Sequence, residues 1–339
     1  MPNVNPSGAR VPTTSSGNGS AGALPVLEPI TQKMIDGLVA AGGPPLYTLS
    51  PAAARDVLTK VQSIAVPKLP VSIIDTTFPV GPTGQTRIRI VRPDGARGEL
   101  PVVMWFHGGG WILGDKDTHD RLIREIADGT RAAVVFVDYD RSPEARYPTA
   151  IEQCYAATKY VAEHAAEIGL DASQLVIAGD SVGGNMAAVV AVLAKQRGGP
   201  KIDFQLLYYP VTDASMSTPS YATFKDGPWL SAPAMAWFWD AYLPDKEARR
   251  TITASPLQGS LEQLRGLPDA MIIVDENDVL RDEGEAYARK LMAAGNRVTS
   301  LRMNGTIHDF VMLNPLAQTP ATRTAIEQGI EALRRVLFR

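Results

Sequence analysis

Cysteine is almost missing from this 339-residue chain. Cys154 stands alone, which excludes an internal disulfide and suits a reducing compartment. Its expected setting is an amphipathic helix, where a half-buried thiol is inert. Histidine is scarce as well, four in all, and no cysteine–histidine cluster has metal-ligand spacing, so no metal is expected. No stretch approaches the roughly 18 to 20 apolar residues that a bilayer span requires. The first residues carry neither the basic start nor the apolar run of a secretory signal, so the expectation is a cytoplasmic protein. An excess of either charge is lacking too. With 33 basic and 36 acidic residues interspersed, the net charge of -3 leaves no electrostatic footprint for nucleic acid or anionic membrane, and small neutral substrates are the default.

What is present is a large apolar share, 45%, enough for one sizeable α/β core. Residues 1–24 are rich in Ser, Gly, Thr, Pro and Asn and read as a loose N-terminal tail. Two segments at helical spacing follow, 29–39 and 51–61, each opening near a proline suited to a first turn and separated by Gly42-Gly43-Pro44-Pro45. Helices ahead of the first strand stand outside a strand-helix repeat. Residues 25–65 are therefore read as part of a cap, with simple packing on the flank as the alternative. Strands near 71–79 and 86–92, joined by a short glycine-proline turn, form an antiparallel pair.

The chain's chemistry centres on residues 175–193. The β-branched run Leu175-Val176-Ile177-Ala178 reads as a buried parallel strand, and the Ala-rich run from Met186 as a core-facing helix. Between them, Gly179-Asp180-Ser181-Val182-Gly183 fits G-x-S-x-G, in which the serine sits on a strained strand-to-helix corner with its hydroxyl clear of the sheet. The helix N-terminus sets partial positive charge beside Ser181, where an oxyanion would form. A second anchor lies upstream: the apolar strand 101–106 empties into His107-Gly108-Gly109-Gly110-Trp111, a loop able to turn bare N–H groups toward one point.

Together, His107–Trp111 and Gly179–Gly184 resemble the hormone-sensitive-lipase-like branch of the α/β-hydrolases, the bacterial family IV esterases, and the order of further segments extends the resemblance from about residue 27 to the C-terminus. It implies an α/β-hydrolase fold: a mostly parallel eight-stranded sheet flanked by helices, with a helical cap. The catalytic domain would be 66–339, carrying a cap insertion at about 213–254, where strands give way to aromatics. These aromatics form either a lid or ordinary helix-on-sheet core. Arg141-Ser142-Pro143-Glu144 resembles a family segment whose charges brace loops. Val182 stands where the family has alanine, which implies a tighter acyl pocket floor.

A serine needs a base, and the base an acid to fix its tautomer. His119 and His164 are expected in surface helices and His107 as support for the oxyanion loop, which leaves His308, in the loop after strand 297–303; the order nucleophile, acid, histidine agrees. Several carboxylates crowd the loop after strand 270–274. Asp278-Val279-Leu280-Arg281-Asp282-Glu283-Gly284 resembles the family's Asp-Pro-Leu-x-Asp-Glu-Gly, which implies Asp278 as the triad acid, with Glu276 next in line. Asp309 replaces the family's glycine and is expected to raise the histidine's pKa. By analogy, N–H groups of Gly109, Gly110 and Val182 form the oxyanion hole, with Gly108 able to replace one of them. The expected activity is hydrolysis of short- to medium-chain acyl esters without a cofactor, and the resemblance suggests a homodimer. An amidase or lactonase on the same triad, or a non-catalytic small-ligand binder, is the alternative.

Overall fold

In the computed structural model, which describes residues 25–339, eight strands form one sheet in the order β1-β2-β4-β3-β5-β6-β7-β8. These are β1 (Val71–Phe78), β2 (Thr86–Pro93), β3 (Leu100–Phe106), β4 (Ala133–Asp138), β5 (Leu170–Asp180), β6 (Phe204–Tyr208), β7 (Asp269–Asn277) and β8 (Val298–Ile307). β2 runs antiparallel to both β1 and β4, and every other pairing is parallel. The short turn between β1 and β2 forces the first antiparallel pair, whereas each strand from β4 onward is reached by a longer crossover that carries a helix. Strands β3 and β4 lie buried along nearly their whole length, as expected of parallel strands covered on both faces.

Helices α1 (Pro29–Ala41) and α2 (Pro51–Gln62) precede the sheet. Both start at the anticipated prolines, and Ser50 Oγ accepts from the Ala53 N–H to cap α2. The crossovers carry α3 (Asp120–Thr130), α4 (Thr149–His164) and α5 (Val182–Arg197). α5 is buried on every side over its first thirteen residues, which explains why its sequence is small and apolar all round rather than striped. Between β6 and β7 come α6 (Pro219–Thr223), α7 (Ala232–Tyr242) and α8 (Leu261–Leu264). α9 (Arg281–Ala293) and α10 (Pro320–Leu337) complete the layers; α10 buries Ala325, Ile326, Gly329, Leu333 and Val336, one apolar stripe. Among the described residues, no helix is long and apolar enough to cross a membrane.

Several boundaries differ from the sequence expectations. β8 runs four residues past 303, to the position just before His308, and β7 runs three past 274, to Asn277. Cys154 is fully buried rather than half-buried, and burial pushes its thiol well above the ordinary value. The expected tail, 1–24, lies outside the described residues.

Candidate active site

Ser181, Asp278 and His308 follow the carboxyl ends of β5, β7 and β8. Ser181 is in a conformation that L residues seldom adopt, φ 55° and ψ -120°, held between β5 and α5. Two close approaches permit it. A Cβ on Gly183 would sit 2.0 Å from the Phe106 carbonyl oxygen, and one on Gly179 would lie 2.4 Å from the Gly183 backbone. Only glycine lets strand, corner and helix approach this closely.

The three side chains make one chain of hydrogen bonds. His308 Nδ1 lies 2.8 Å from Asp278 Oδ2, and Nε2 lies 2.8 Å from Ser181 Oγ. Because a carboxylate only accepts, the one proton of the neutral ring belongs on Nδ1, and in that form Nε2 is left to accept the serine O–H. Asp278 Oδ1 accepts from the Leu280 N–H at 3.0 Å, which fixes the carboxylate's second oxygen. Glu276, the next candidate acid, points elsewhere and accepts from the Gly305 N–H at 2.8 Å.

A fourth group stands at the base. Asp309, at φ +67°, sets Oδ1 3.5 Å from His308 Nε2 while Oδ2 accepts from Trp229 Nε1 at 3.0 Å. Burial by itself would lower the imidazole's pKa, but the carboxylates of Asp278 and then Asp309 outweigh it and lift His308 to about 10. Burial also raises Asp309 above the ordinary carboxyl range, against the pull of His308.

Gly109 and Gly110, at φ +105° and +62°, line the pocket beside Ser181, and among the described residues their N–H groups donate to no protein acceptor. Val182 begins α5, whose first N–H groups have no partner within the helix. Gly108 does not line the pocket; it packs on Asp180, whose Oδ2 would meet a Cβ there at 2.4 Å. His107 is buried, stacked on Tyr139 at 4.1 Å between ring centroids, and Nδ1 donates to the Gly108 carbonyl at 2.8 Å. Burial, helped by repulsion from His119, drops its pKa to about 3, so it is neutral support for the loop.

Two expectations need correction. His119 is not on a surface helix: it is fully buried at the start of α3, with Nε2 3.2 Å from Asp180 Oδ2. Its partner is the residue before Ser181, a pairing that no local pattern signals. Val182 is also fully buried and does not line the pocket, so its side chain forms no acyl floor. His164, at the end of α4, is half-buried beside Glu167.

The pocket above Ser181 is lined by Leu38 and Leu46, by Val57 and Val61 of α2, and by Leu230 and Phe238 from the segment around α7. Arg55 of α2 fastens this roof to the loops beneath, donating to the carbonyls of Ile112 (2.8 Å) and Ser142 (3.0 Å) and pairing with Glu144 at 2.7 Å. Arg141 donates to the Gly114 carbonyl at 2.7 Å, so both charges near 141–144 hold loops. Neither the Arg55 clasp nor the Trp229–Asp309 bond is read from the sequence; the loop-bracing Glu144 marks one end of the first, and the Asp309 departure one end of the second. Among the described residues, Asp275, Asp278 and His308 are the one group of metal-ligand type, and both imidazole nitrogens there are already engaged.

Comparison with known proteins bears on the fold and on the class of enzyme. A family model described as the alpha/beta hydrolase fold matches residues 103–312. The chain is 42% identical over 261 residues to Carboxylesterase NlhH of Mycobacterium tuberculosis, covering 76% of this chain and 81% of that one. It is 42% identical over 271 residues to Esterase LipI of the same organism, with 80% and 83% covered. A solved structure of a thermostable esterase from Pseudomonas putida ECU1011 superposes with a TM-score of 0.91 at 52% identity, covering 94% of this chain and 100% of that one.

Proposed function

The chain belongs to the α/β-hydrolase family, in its hormone-sensitive-lipase-like branch, and is a carboxylic ester hydrolase; from that premise we propose that Ser181, His308 and Asp278 cleave short- to medium-chain acyl esters through an acyl-enzyme. The unbroken relay from Asp278 through His308 to Ser181 carries this reading.

Ser181 Oγ attacks the ester carbonyl carbon while Nε2 of His308 takes its proton. Asp278 holds the ring by Nδ1 and balances the imidazolium that forms. The carbonyl oxygen becomes an oxyanion facing the N–H groups of Gly109, Gly110 and Val182, and losing one such donor typically costs about 3 kcal/mol. When the tetrahedral intermediate collapses, Nε2–H protonates the departing alkoxide. Water activated by the same nitrogen then attacks the acyl-serine and releases the acid.

The helices of 25–65 and the insertion around 213–254 act as a cap that selects the acyl chain, since both supply the pocket's apolar lining. The exposed end of the sheet at β8 suits a homodimer, which light scattering after gel filtration tests against a monomer.

Incubation with an organophosphonate followed by mass spectrometry tests the mechanism: an adduct on Ser181 is expected, and its absence defeats the reading. Rates on p-nitrophenyl acetate, p-nitrophenyl octanoate and an anilide should fall to near nothing for the anilide. An anilide rate matching the esters favours an amidase.

A further inference from the structure

Asp275, in β7, has no part in the relay just described. Its side chain is fully buried, and neither carboxyl oxygen has a hydrogen-bond partner. Yet it stands beside the triad: one of its oxygens, one of Asp278 and a nitrogen of His308 all lie within 4.8 Å of one another. Two ionised carboxylates cannot share so small a buried space with one imidazole, because each would repel the other and neither has water to solvate it. One must carry a proton.

The hydrogen bonds show which. Asp278 accepts at both oxygens, from His308 Nδ1 and from the Leu280 N–H, so neither is free to carry the proton. Asp275 accepts nothing. A protonated Asp275 turns this orphan into a donor, and the Asp278 carboxylate, with an oxygen no more than 4.8 Å away, is the acceptor beside it. Burial, then the charge of Asp278, push Asp275 well above the ordinary carboxyl range, in the same direction. The other titratable neighbour is Tyr209, just after β6, whose buried phenol is also pushed far up and stays neutral.

We propose that Asp275 is held as a neutral carboxylic acid whose O–H donates to Asp278, so that two acids sharing one proton orient the imidazole of His308. Asp275 is a positioning residue: it touches neither substrate nor the reacting oxygen. Its bond steadies the Asp278 carboxylate in the plane of the ring and tempers its basicity, which keeps the Nδ1 proton on the imidazole. The role rests on the triad assigned above.

Three measurements test it. Difference infrared spectra at neutral pH between the wild type and Asp275→Asn should contain a protonated-carboxyl C=O band belonging to the wild type; its absence overturns the proposal, whatever the activity. Asp275→Leu keeps the bulk but loses the donor. It should lower kcat on the order of 10-fold with KM little changed, and Asp275→Asn, which donates through its amide, should recover all but roughly threefold of the rate. Equal rates for Leu and Asn overturn the proposal. In kcat/KM against pH, Asp275→Asn should leave the acidic limb in place; removal of a real negative charge would move it down by about a unit or more, which refutes the neutral form. Failure of the triad itself shows separately, as full activity in Ser181→Ala.

Discussion

Replacing Asp309 by Asn removes a carboxylate from beside His308, the proposed base, with little change of shape, and Asn tolerates the positive φ found there. The carboxyl oxygen is 3.5 Å from His308 Nε2. At that separation two unit charges interact by roughly 1 kcal/mol in bulk water and roughly 5 kcal/mol at an effective dielectric near 20, or about 1 to 3.5 pK units. The charge of Asp309 is spread over two oxygens, and Trp229 Nε1–H draws on one of them, so the lower half of that range, roughly 1 to 2 units, applies. The sign is fixed by electrostatics. An anion favours the imidazolium, so its loss lowers the pKa of His308, and the free base survives to lower pH. In kcat/KM against pH with p-nitrophenyl acetate, the acidic limb should shift down by that amount, and the variant should outperform the wild type on the acid side. Asp309→Gly should shift the limb likewise, while also releasing Trp229. A limb that stays put in both variants refutes the reasoning and means that Asp309, raised by burial, is already neutral when the enzyme works.

Gly110→Ala places a Cβ 2.0 Å from Phe238 at a residue with φ +62°, so the loop proposed to hold the oxyanion must move; kcat should fall on the order of 100-fold while p-nitrophenyl acetate KM changes little. Arg55→Ala cuts the clasp between α2 and the loops at 112 and 142–144; urea unfolding should show a loss of roughly 2 kcal/mol, and KM for octanoate should rise more than KM for acetate. His107 has a folded pKa of about 3 against an unfolded value of about 6.5, so below pH 6.5 the unfolded chain binds a proton that the folded chain refuses. Stability should therefore fall with acidification, by up to roughly 1.4 kcal/mol per pH unit from this one residue, and the urea midpoint of His107→Asn should depend less steeply on pH over that window.

Much of this protein is legible before any coordinates. The β-branched strands, the glycine-bounded serine corner and the glycine-rich loop after Phe106 are local patterns, because backbone conformation and burial on both faces of a sheet restrict which residues fit at each position. The order Ser181, Asp278, His308 follows from the sheet, which returns each loop to the same carboxyl edge. The long-range polar partners are different in kind. His119 under Asp180, Arg55 across to residues 112 and 142–144, and Trp229 on Asp309 join residues 61, 57, 87 and 80 positions apart. No spacing rule connects such pairs. Charged side chains read as surface until a partner buries them, so the sequence placed His119 outside, and it attached no special meaning to Asp275. The chain itself determined which residue types stand at the ends of which strands; packing alone decided which carboxylate faces the imidazole, which glycines open into the pocket and which acid is left without a donor, because burial and hydrogen bonding are properties of neighbours brought together from distant parts of the chain.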